Sequence, residues 1–462
     1  MTYPTHFNAF ALAPALLENL ASLGFEHPTP VQALSLPFIL SGKDLLAQAA
    51  TGSGKTAAFA LGMLSKLDVK RFRVQSLVLC PTRELAEQVA TEIRTLARGI
   101  HNIKVLTLCG GVPTKGQTLS LEHGAHIIVG TPGRVLDHIE RQHLSLDELS
   151  LLVLDEADRM LEMGFADAMQ QIIAATPTKR QQLLFSATFA PAVKKLADAL
   201  LNAPEQVIIE STPATSLIQQ EFYALADNQT RVSATLSLLF AKMPSSCVVF
   251  ANTRKEVQVL AEHLKQAGFS IAALHGDLEQ RDRELQLLQF ANGSLQVLVA
   301  TDVAARGLDI AKLDLVINYE LAHDSETHVH RIGRTGRAGE QGMACTIVNE
   351  QDGYKLSLLE DVFGHDITPL PLPRPQTSKA PLPAMVTLEI DGGKKQKLRP
   401  ADIVGALTRD NQVAFTDIGK IHLLESRAYV AVQRSALKTA LLQLNNSKMK
   451  GRSFRAYQLK PN

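Results

Sequence analysis

Thr51-Gly52-Ser53-Gly54-Lys55-Thr56 sets two glycines, a lysine and three hydroxyls into six consecutive positions. Glycines let a loop turn its backbone N–H groups inward, and a ring of inward N–H groups cradles phosphate. Lys55 adds a point charge for β- and γ-phosphates, and Thr56 a hydroxyl for Mg²⁺. A helix starting there would aim its positive end at the same anion. Ala49 stands where the strict pattern has another glycine. A flexible turn accounts for the glycines but not for the Lys-Thr pair. Further on, Asp155-Glu156-Ala157-Asp158 follows the apolar run Leu151–Leu154. A carboxylate ending a buried strand is costly unless it has a partner. Asp155 suits Mg²⁺ held through water, and Glu156 suits orienting an attacking water. The chemistry implied is Mg²⁺-assisted hydrolysis of a nucleoside triphosphate.

The elements around these residues are short. Ser76–Cys80, Lys104–Cys109, His126–Val129, Leu151–Asp155 and Gln182–Ser186 are apolar runs rich in Val, Ile and Leu. They read as strands buried on both faces of a parallel sheet. Helical spacing between them, as in Arg83–Arg98, makes an open α/β fold. The pattern restarts with Ser246–Phe250, Ser270–Leu274, Gln296–Ala300, Leu315–Asn318 and Met343–Ile347. There the place of the phosphate loop is taken by Asn252-Thr253-Arg254. One nucleotide site for two similar domains implies a site that the second domain completes.

The expected layout is a first domain over 1–209, a second over 210–368, a proline-rich extended linker over 369–383, and a small domain over 384–462. The last reads strand (Met385–Ile390), helix (Pro400–Leu407), two strands (Lys420–Leu424, Ala428–Val432), helix (Ala436–Leu444) and strand (Ser453–Leu459), the α+β plan of RNA-recognition domains.

The net charge of +1 hides an asymmetry. Residues 384–462 hold 14 Lys and Arg against 6 Asp and Glu, a balance of +8 that leaves −7 for the rest. An acidic body with a basic tail is the footprint of a nucleic-acid or anionic-surface contact. The cysteines Cys80, Cys109, Cys247 and Cys345 form no CxxC pair and read as buried thiols in a reducing compartment. No run reaches the ~18 apolar residues of a membrane span, and the chain reads as cytoplasmic with no membrane partner.

Read together, these segments resemble the DEAD-box RNA helicases over roughly residues 7–340. Gly24–Gln32 (GFEHPTPVQ), with Phe7 upstream, is similar to the family's adenine-reading motif; an amide at Gln32 can donate and accept together. Pro81-Thr82-Arg83-Glu84-Leu85-Ala86, Gly110-Gly111 and Thr131-Pro132-Gly133-Arg134 match its RNA-contacting motifs, which suit a phosphodiester backbone and carry no base preference. Ser186-Ala187-Thr188 matches the motif that couples Asp158 and the rest of the DEAD loop to closure. In the second half Val248–Arg254, His275-Gly276-Asp277, Gln280–Arg283, Ala300–Asp309 (ATDVAARGLD) and His330–Arg337 (HRIGRTGR) follow in family order.

The resemblance implies two tandem RecA-like parallel-sheet domains, ATP and Mg²⁺ as cofactors, and RNA as partner. It places Thr51, Gly52, Ser53, Gly54, Lys55, Thr56, Phe7, Gln32, Asp155 and Asp309 at the nucleotide. It places Pro81, Thr82, Arg83, Gly111, Thr131, Arg134, Arg254, Gly276 and Thr301 at RNA. Arg334 and Arg337 become arginine fingers for the γ-phosphate; Arg331, Arg334 and Arg337 are too many arginines for a core. His275 and His330 lie in separate motifs without metal-ligand spacing.

The tail clusters Lys394-Lys395-Gln396-Lys397-Leu398-Arg399 and Lys448-Met449-Lys450-Gly451-Arg452 resemble the C-terminal RRM-like domain of a bacterial branch of this family. That branch implies a hairpin of 23S rRNA and the pre-ribosomal particle as partners, with local strand separation during large-subunit assembly. The alternative is an ATP-gated RNA clamp that unwinds little. The first tail strand, MVTLEI, has no aromatic and the third only Tyr429, so loops and basic side chains are expected to read the RNA.

Overall fold

The structure, a computed structural model, is described for residues 4–49, 52–209, 218–305, 313–336 and 341–459. These form two compact units, the first ending at residue 209 and the second beginning at 218. Among the described residues no helix is long and apolar enough to cross a membrane.

The first unit is built on β1 (Leu45–Gln48), β2 (Ser76–Leu79), β3 (Val105–Leu108), β4 (Ile127–Gly130), β5 (Leu151–Leu154), β6 (Gln181–Ser186) and β7 (Glu205–Ile208). Their order is β3-β4-β2-β5-β6-β1-β7 and every pairing is parallel. The runs β4, β2 and β5 are buried along their whole length and take the middle. β7 is half polar and lies on the edge. Because all strands point one way, every loop leaving a carboxyl end emerges on one rim of the sheet.

The second unit opens with β8 (Ile218–Ala224), β9 (Cys247–Phe250), β10 (Ile271–Leu274), β11 (Val297–Ala300), β12 (Leu315–Asn318) and β13 (Gly342–Val348), all parallel, in the order β10-β11-β9-β12-β13-β8. β1, β7 and β8 are not among the strands expected from the apolar runs. Leu45–Gln48 is only four residues and runs into the phosphate loop, while the other two mix polar and apolar residues as edge strands do. The four cysteines are buried and free.

The proline-rich stretch is not a free spacer. Leu370 bridges Tyr223 in parallel, donating to Phe222 O at 2.7 Å and accepting from Ala224 N at 2.9 Å. Gln376 N reaches Phe240 O, and Ala380 joins the core of the second sheet. Proline cannot donate to a ladder, but Leu370 between two prolines can, and β8 is an edge with backbone groups to spare.

The tail carries β14 (Met385–Ile390), β15 (Ile418–Leu423), β16 (Ala428–Gln433), β17 (Lys448–Met449), β18 (Arg452–Ser453) and β19 (Ala456–Gln458), with helices Pro400–Leu407 and Leu437–Asn446. The antiparallel order β15-β16-β14-β19 makes a β-α-β-β-α-β domain. Leu388, Ile390, Val430 and Val432 point to its core. The other sheet face carries Thr387, Glu389 and Tyr429. Thr387 Oγ1 lies 2.7 Å from Ser294 Oγ and accepts from Asn292 Nδ2 at 3.4 Å. That face therefore rests on the second α/β domain, beside helix Gln280–Ala291.

Candidate nucleotide and RNA site

Six motif loops leave the carboxyl rim of the first sheet, and strand order sorts them. The phosphate loop follows β1, the DEAD loop follows β5, and Ser186-Ala187-Thr188 ends β6; these three strands are neighbours. The loops at Pro81, Gly110 and Thr131 follow β2, β3 and β4, which are also neighbours. Open α/β sheets bind ligands at this rim, and strand order divides it into a half that carries the motifs expected at the nucleotide and a half that carries those expected at RNA, called below the nucleotide half and the RNA half.

In the nucleotide half, Gly52 and Gly54 adopt φ of +83° and +92°. Gly54 immediately precedes helix Lys55–Lys66, and a Cβ on it would stand 2.5 Å from Gln32 Nε2. Both facts require glycine. Gln32 is buried, accepts from Thr29 N at 2.9 Å and donates to Gly54 O at 3.0 Å. It caps its own helix and grips the phosphate loop, using one lone pair and one N–H of its amide. Phe7 is 4% exposed, its ring packed beside Phe10 and Phe25. It supports the Gly24–Gln32 segment from the core and shows no open face. Thr51 and Asp309 lie outside the described residues.

Lys55 and Asp155 meet at 3.2 Å with 4% and 0% exposure. Burial alone pushes the Lys55 ammonium down, but Asp155, Glu156 and Asp158 outweigh it and the net shift is upward. Burial pushes the Asp155 carboxyl up, against the pull of Lys55. Apart from the contact with Lys55, the Asp155 oxygens are poorly satisfied. A buried, under-solvated carboxylate beside further acidic charge is a place for a hard cation, and with the Thr56 hydroxyl it fits Mg²⁺. Among the described residues no group of three or more His, Cys, Asp or Glu could hold a metal alone, so phosphate and water would supply the remaining ligands. Glu156 sits at φ 53°, ψ 55°, left-handed for a non-glycine residue, a strain that clusters at working sites. Asp158 Oδ2 accepts from Ala187 N at 3.0 Å, Thr188 N at 3.1 Å and Thr188 Oγ1 at 3.4 Å. The DEAD loop and the end of β6 are thus tied directly, with Ser186 buried beneath them.

In the RNA half, Thr82 caps helix Arg83–Leu96 by accepting from Leu85 N. Arg83 lays its guanidinium over Gly110 and Gly111; a Cβ on Gly111, at φ +72°, would overlap it. Arg134 Nη1 donates to Val112 O at 3.1 Å. Pro81 and Thr131 are buried at the roots of their loops.

In the second unit Arg254 pairs with Asp277, beside exposed Gly276. Thr301 is buried and accepts from Ala304 N, capping a short helix. The expectation that Arg331 stays out of the core is corrected. It is 2% exposed, held bidentately by Asp302 at 2.6 and 2.7 Å, with further bonds to Glu320 O and Asn252 Oδ1. A guanidinium paired this well can be buried, and this one ties three motif segments, those of Asn252, Asp302 and Arg331 itself, to the Glu320 carbonyl. Arg334 is half-buried three residues on; Arg337 lies outside the described residues.

In the tail, Lys394, Lys395, Lys397 and Arg399 are exposed on the loop after β14, and Lys448, Lys450 and Arg452 on the β17–β18 hairpin. Lys450 and Gly451 both have positive φ, as a two-residue hairpin turn requires. Gly392 packs under Phe454, and Asp391 and Arg455 bond through their backbones, so both clusters share one end of the domain. Tyr429 is 3% exposed. Its ring is closed to stacking because that part of the sheet faces the second α/β domain, whereas Tyr457, opposite Glu389 on β19, is 45% exposed.

This fold and site define an ATP-hydrolysing RNA helicase. Residues 29–196 match the DEAD/DEAH box helicase family, 230–339 the helicase conserved C-terminal domain, and 387–458 the DbpA RNA binding domain. The chain belongs to the DEAD-box ATP-dependent RNA helicases, with a DbpA-type RNA-binding domain at its C-terminal side. It is 50% identical to the ATP-dependent RNA helicase DbpA of Escherichia coli, over 97% of this chain and 98% of that one. It is 35% identical to DbpA of Bacillus subtilis over 98% of each. The solved structure of S. cerevisiae Dbp5 bound to RNA and ADP BeF3 superposes with a TM-score of 0.72 at 32% identity, covering 80% of this chain and 96% of that one.

Proposed function

We propose that this helicase separates short duplexes in 23S rRNA while the large ribosomal subunit is assembled in the cytoplasm, with its tail as the address on a hairpin of the pre-ribosomal particle. The observation that carries the engine part is the division of one sheet rim into a nucleotide half and an RNA half. In this reading Thr51, Gly52, Ser53, Gly54, Lys55 and Thr56 bind the phosphates, Gln32 reads adenine, and Asp309 meets the ribose. Mg²⁺ held by Thr56 and Asp155 would offset phosphate charge. Glu156 orients the attacking water. Arg334 and Arg337 neutralise the γ-phosphate as it leaves. Pro81, Thr82, Arg83, Gly111, Thr131, Arg134, Arg254, Gly276 and Thr301 grip the RNA backbone, and the bonds from Asp158 to Ala187 and Thr188 transmit the state of the nucleotide.

The address part is supported by two exposed basic clusters at one end of the tail domain and by the covered sheet face, which leaves loops and lysines to meet RNA. The working divisions are 1–209, 210–368, 369–383 and 384–462. The match of residues 387–458 to the DbpA RNA binding domain supports the tail as an RNA-binding part. Multiple-turnover separation of a short RNA duplex flanked by a large-subunit hairpin tests the reading. ATP-dependent separation only beside the hairpin is expected. Tight ATP-dependent RNA retention without separation would favour a clamp instead.

A further inference from the structure

Gln117 belongs to none of the motifs above, yet two of the RNA-half segments converge on it. Its Nε2 donates to Cys109 O at 2.9 Å, at the start of the Gly110-Gly111 turn. Its Oε1 accepts from Arg134 Nη1 and from His138 Nε2, both at 2.9 Å. Arg134 Nη1 reaches on to Val112 O, closing a ring around the glycine turn, while Arg83 covers Gly111 from the β2 side. One donation and two acceptances fix the amide: flipped, it would set NH₂ against two donors and oxygen against a carbonyl. His138 is fully buried and acts here as a fixed donor from the Nε2–H tautomer.

We propose that Gln117, steadied by His138, is a positioning residue that locks the Cys109–Val112 turn and the Arg134 guanidinium into one preformed RNA-backbone surface. This rests on the reading that Gly111, Thr131 and Arg134 contact RNA. Without Gln117, Arg134 keeps its charge and its bond to Val112 O but loses its side-chain acceptor, and the turn loses its anchor at Cys109 O. Binding then pays an ordering cost that the wild type has met beforehand. A residue serving only the fold would lower the melting temperature and leave the RNA response unchanged.

The test is RNA-stimulated ATPase of the full chain, titrated with a single-stranded RNA oligonucleotide. The variants are Gln117→Ala, His138→Ala and Arg134→Ala. Gln117→Ala is expected to raise the RNA concentration for half-maximal stimulation about tenfold, the order of one lost charge-assisted bond. Turnover at saturating RNA and KM for ATP should stay within about twofold. His138→Ala should act in the same direction, about threefold. If Arg134→Ala weakens the RNA response and folded Gln117→Ala does not, the positioning role is overturned while the RNA reading stands. If Gln117→Ala does not fold, an unchanged His138→Ala response overturns the role instead. If Arg134→Ala also leaves the response unchanged, the RNA reading of this rim falls and the inference with it.

Discussion

Removing the Asp158 carboxylate should separate ATP hydrolysis from strand separation, and the size of the structural effect can be worked out. Oδ2 accepts two backbone N–H bonds, from Ala187 at 3.0 Å and Thr188 at 3.1 Å, plus a longer one from the Thr188 hydroxyl. Bonds to a charged acceptor contribute ~1.5–3 kcal/mol each. Ala187 and Thr188 are half-buried, so water replaces part of what is lost. A net loss of about 2–3 kcal/mol in the first unit follows for Asp158→Ala. For a unit of this size that lowers its melting transition by about 5–10 °C. Asp158→Asn should do nearly as much, because Oδ1 accepts from Arg159 N and an amide cannot accept on both sides. Scanning calorimetry reads the transition, and ATPase and multiple-turnover duplex separation are run on the same samples below it. Separation should fall more than about tenfold while RNA-saturated hydrolysis falls less than about threefold. An unshifted transition, or the two activities falling in strict proportion, would refute the tether.

Lys55→Ala should abolish hydrolysis while RNA binding by the tail, read by anisotropy with a large-subunit hairpin, stays intact; lost tail binding would contradict the modular layout. Arg334→Ala should hold ATP affinity within a few-fold and cut turnover by ~10³ or more, the scale of an arginine finger; near-normal turnover removes that role. Changing Lys394, Lys395 and Lys397 together to Ala should flatten the salt dependence of RNA binding by a slope of ~2 if all three meet phosphates, and an unchanged slope marks them as a solvated face. Burial holds His328 down to about 3. Its neutral form therefore adds stability above the unfolded-state value near ~6.5, and that stability drains away as pH falls from there toward about 3. The full term is up to about 5 kcal/mol, and His328→Gln should flatten acid unfolding of the second unit; identical acid midpoints would refute it.

Most of the architecture was legible because buried parallel strands are continuous apolar runs. Ser76–Leu79, Ile127–Gly130 and Leu151–Leu154 announce themselves, whereas Leu45–Gln48, Glu205–Ile208 and Ile218–Ala224 do not. Two of those are edge strands whose mixed faces look like loops, and the third is cut short by the phosphate loop. The site showed the same division. Lys55 and Asp155 stood out because their types and spacing have few other uses, whereas Gln32 was legible only through the resemblance, since a glutamine there also serves as a helix cap, as it does here. The Asp158 bonds to Ala187 and Thr188, Gln117 under the glycine turn, and the burial of Arg331 depend on contacts between distant segments, and no local pattern carries them. Arg331 misled because charge argues for the surface; Asp302, Asn252 and the Glu320 carbonyl reverse that only once folded. The proline-rich stretch misled likewise, since composition reports stiffness but not the edge strand that receives Leu370.

The claim that the tail addresses a ribosomal engine is tested most directly by ATPase rate against a panel of RNAs, using the full chain and a variant with Lys394, Lys395, Lys397, Lys448, Lys450 and Arg452 changed to Ala. These side chains are exposed, so the variant keeps the tail docked, which truncation would not. Large-subunit rRNA containing the hairpin should stimulate the wild type far more than unrelated RNA or DNA, and the variant should lose that preference while keeping its response to RNA at high concentration. Equal stimulation by every RNA, with or without the basic residues, would leave a helicase whose ribosomal address is wrong.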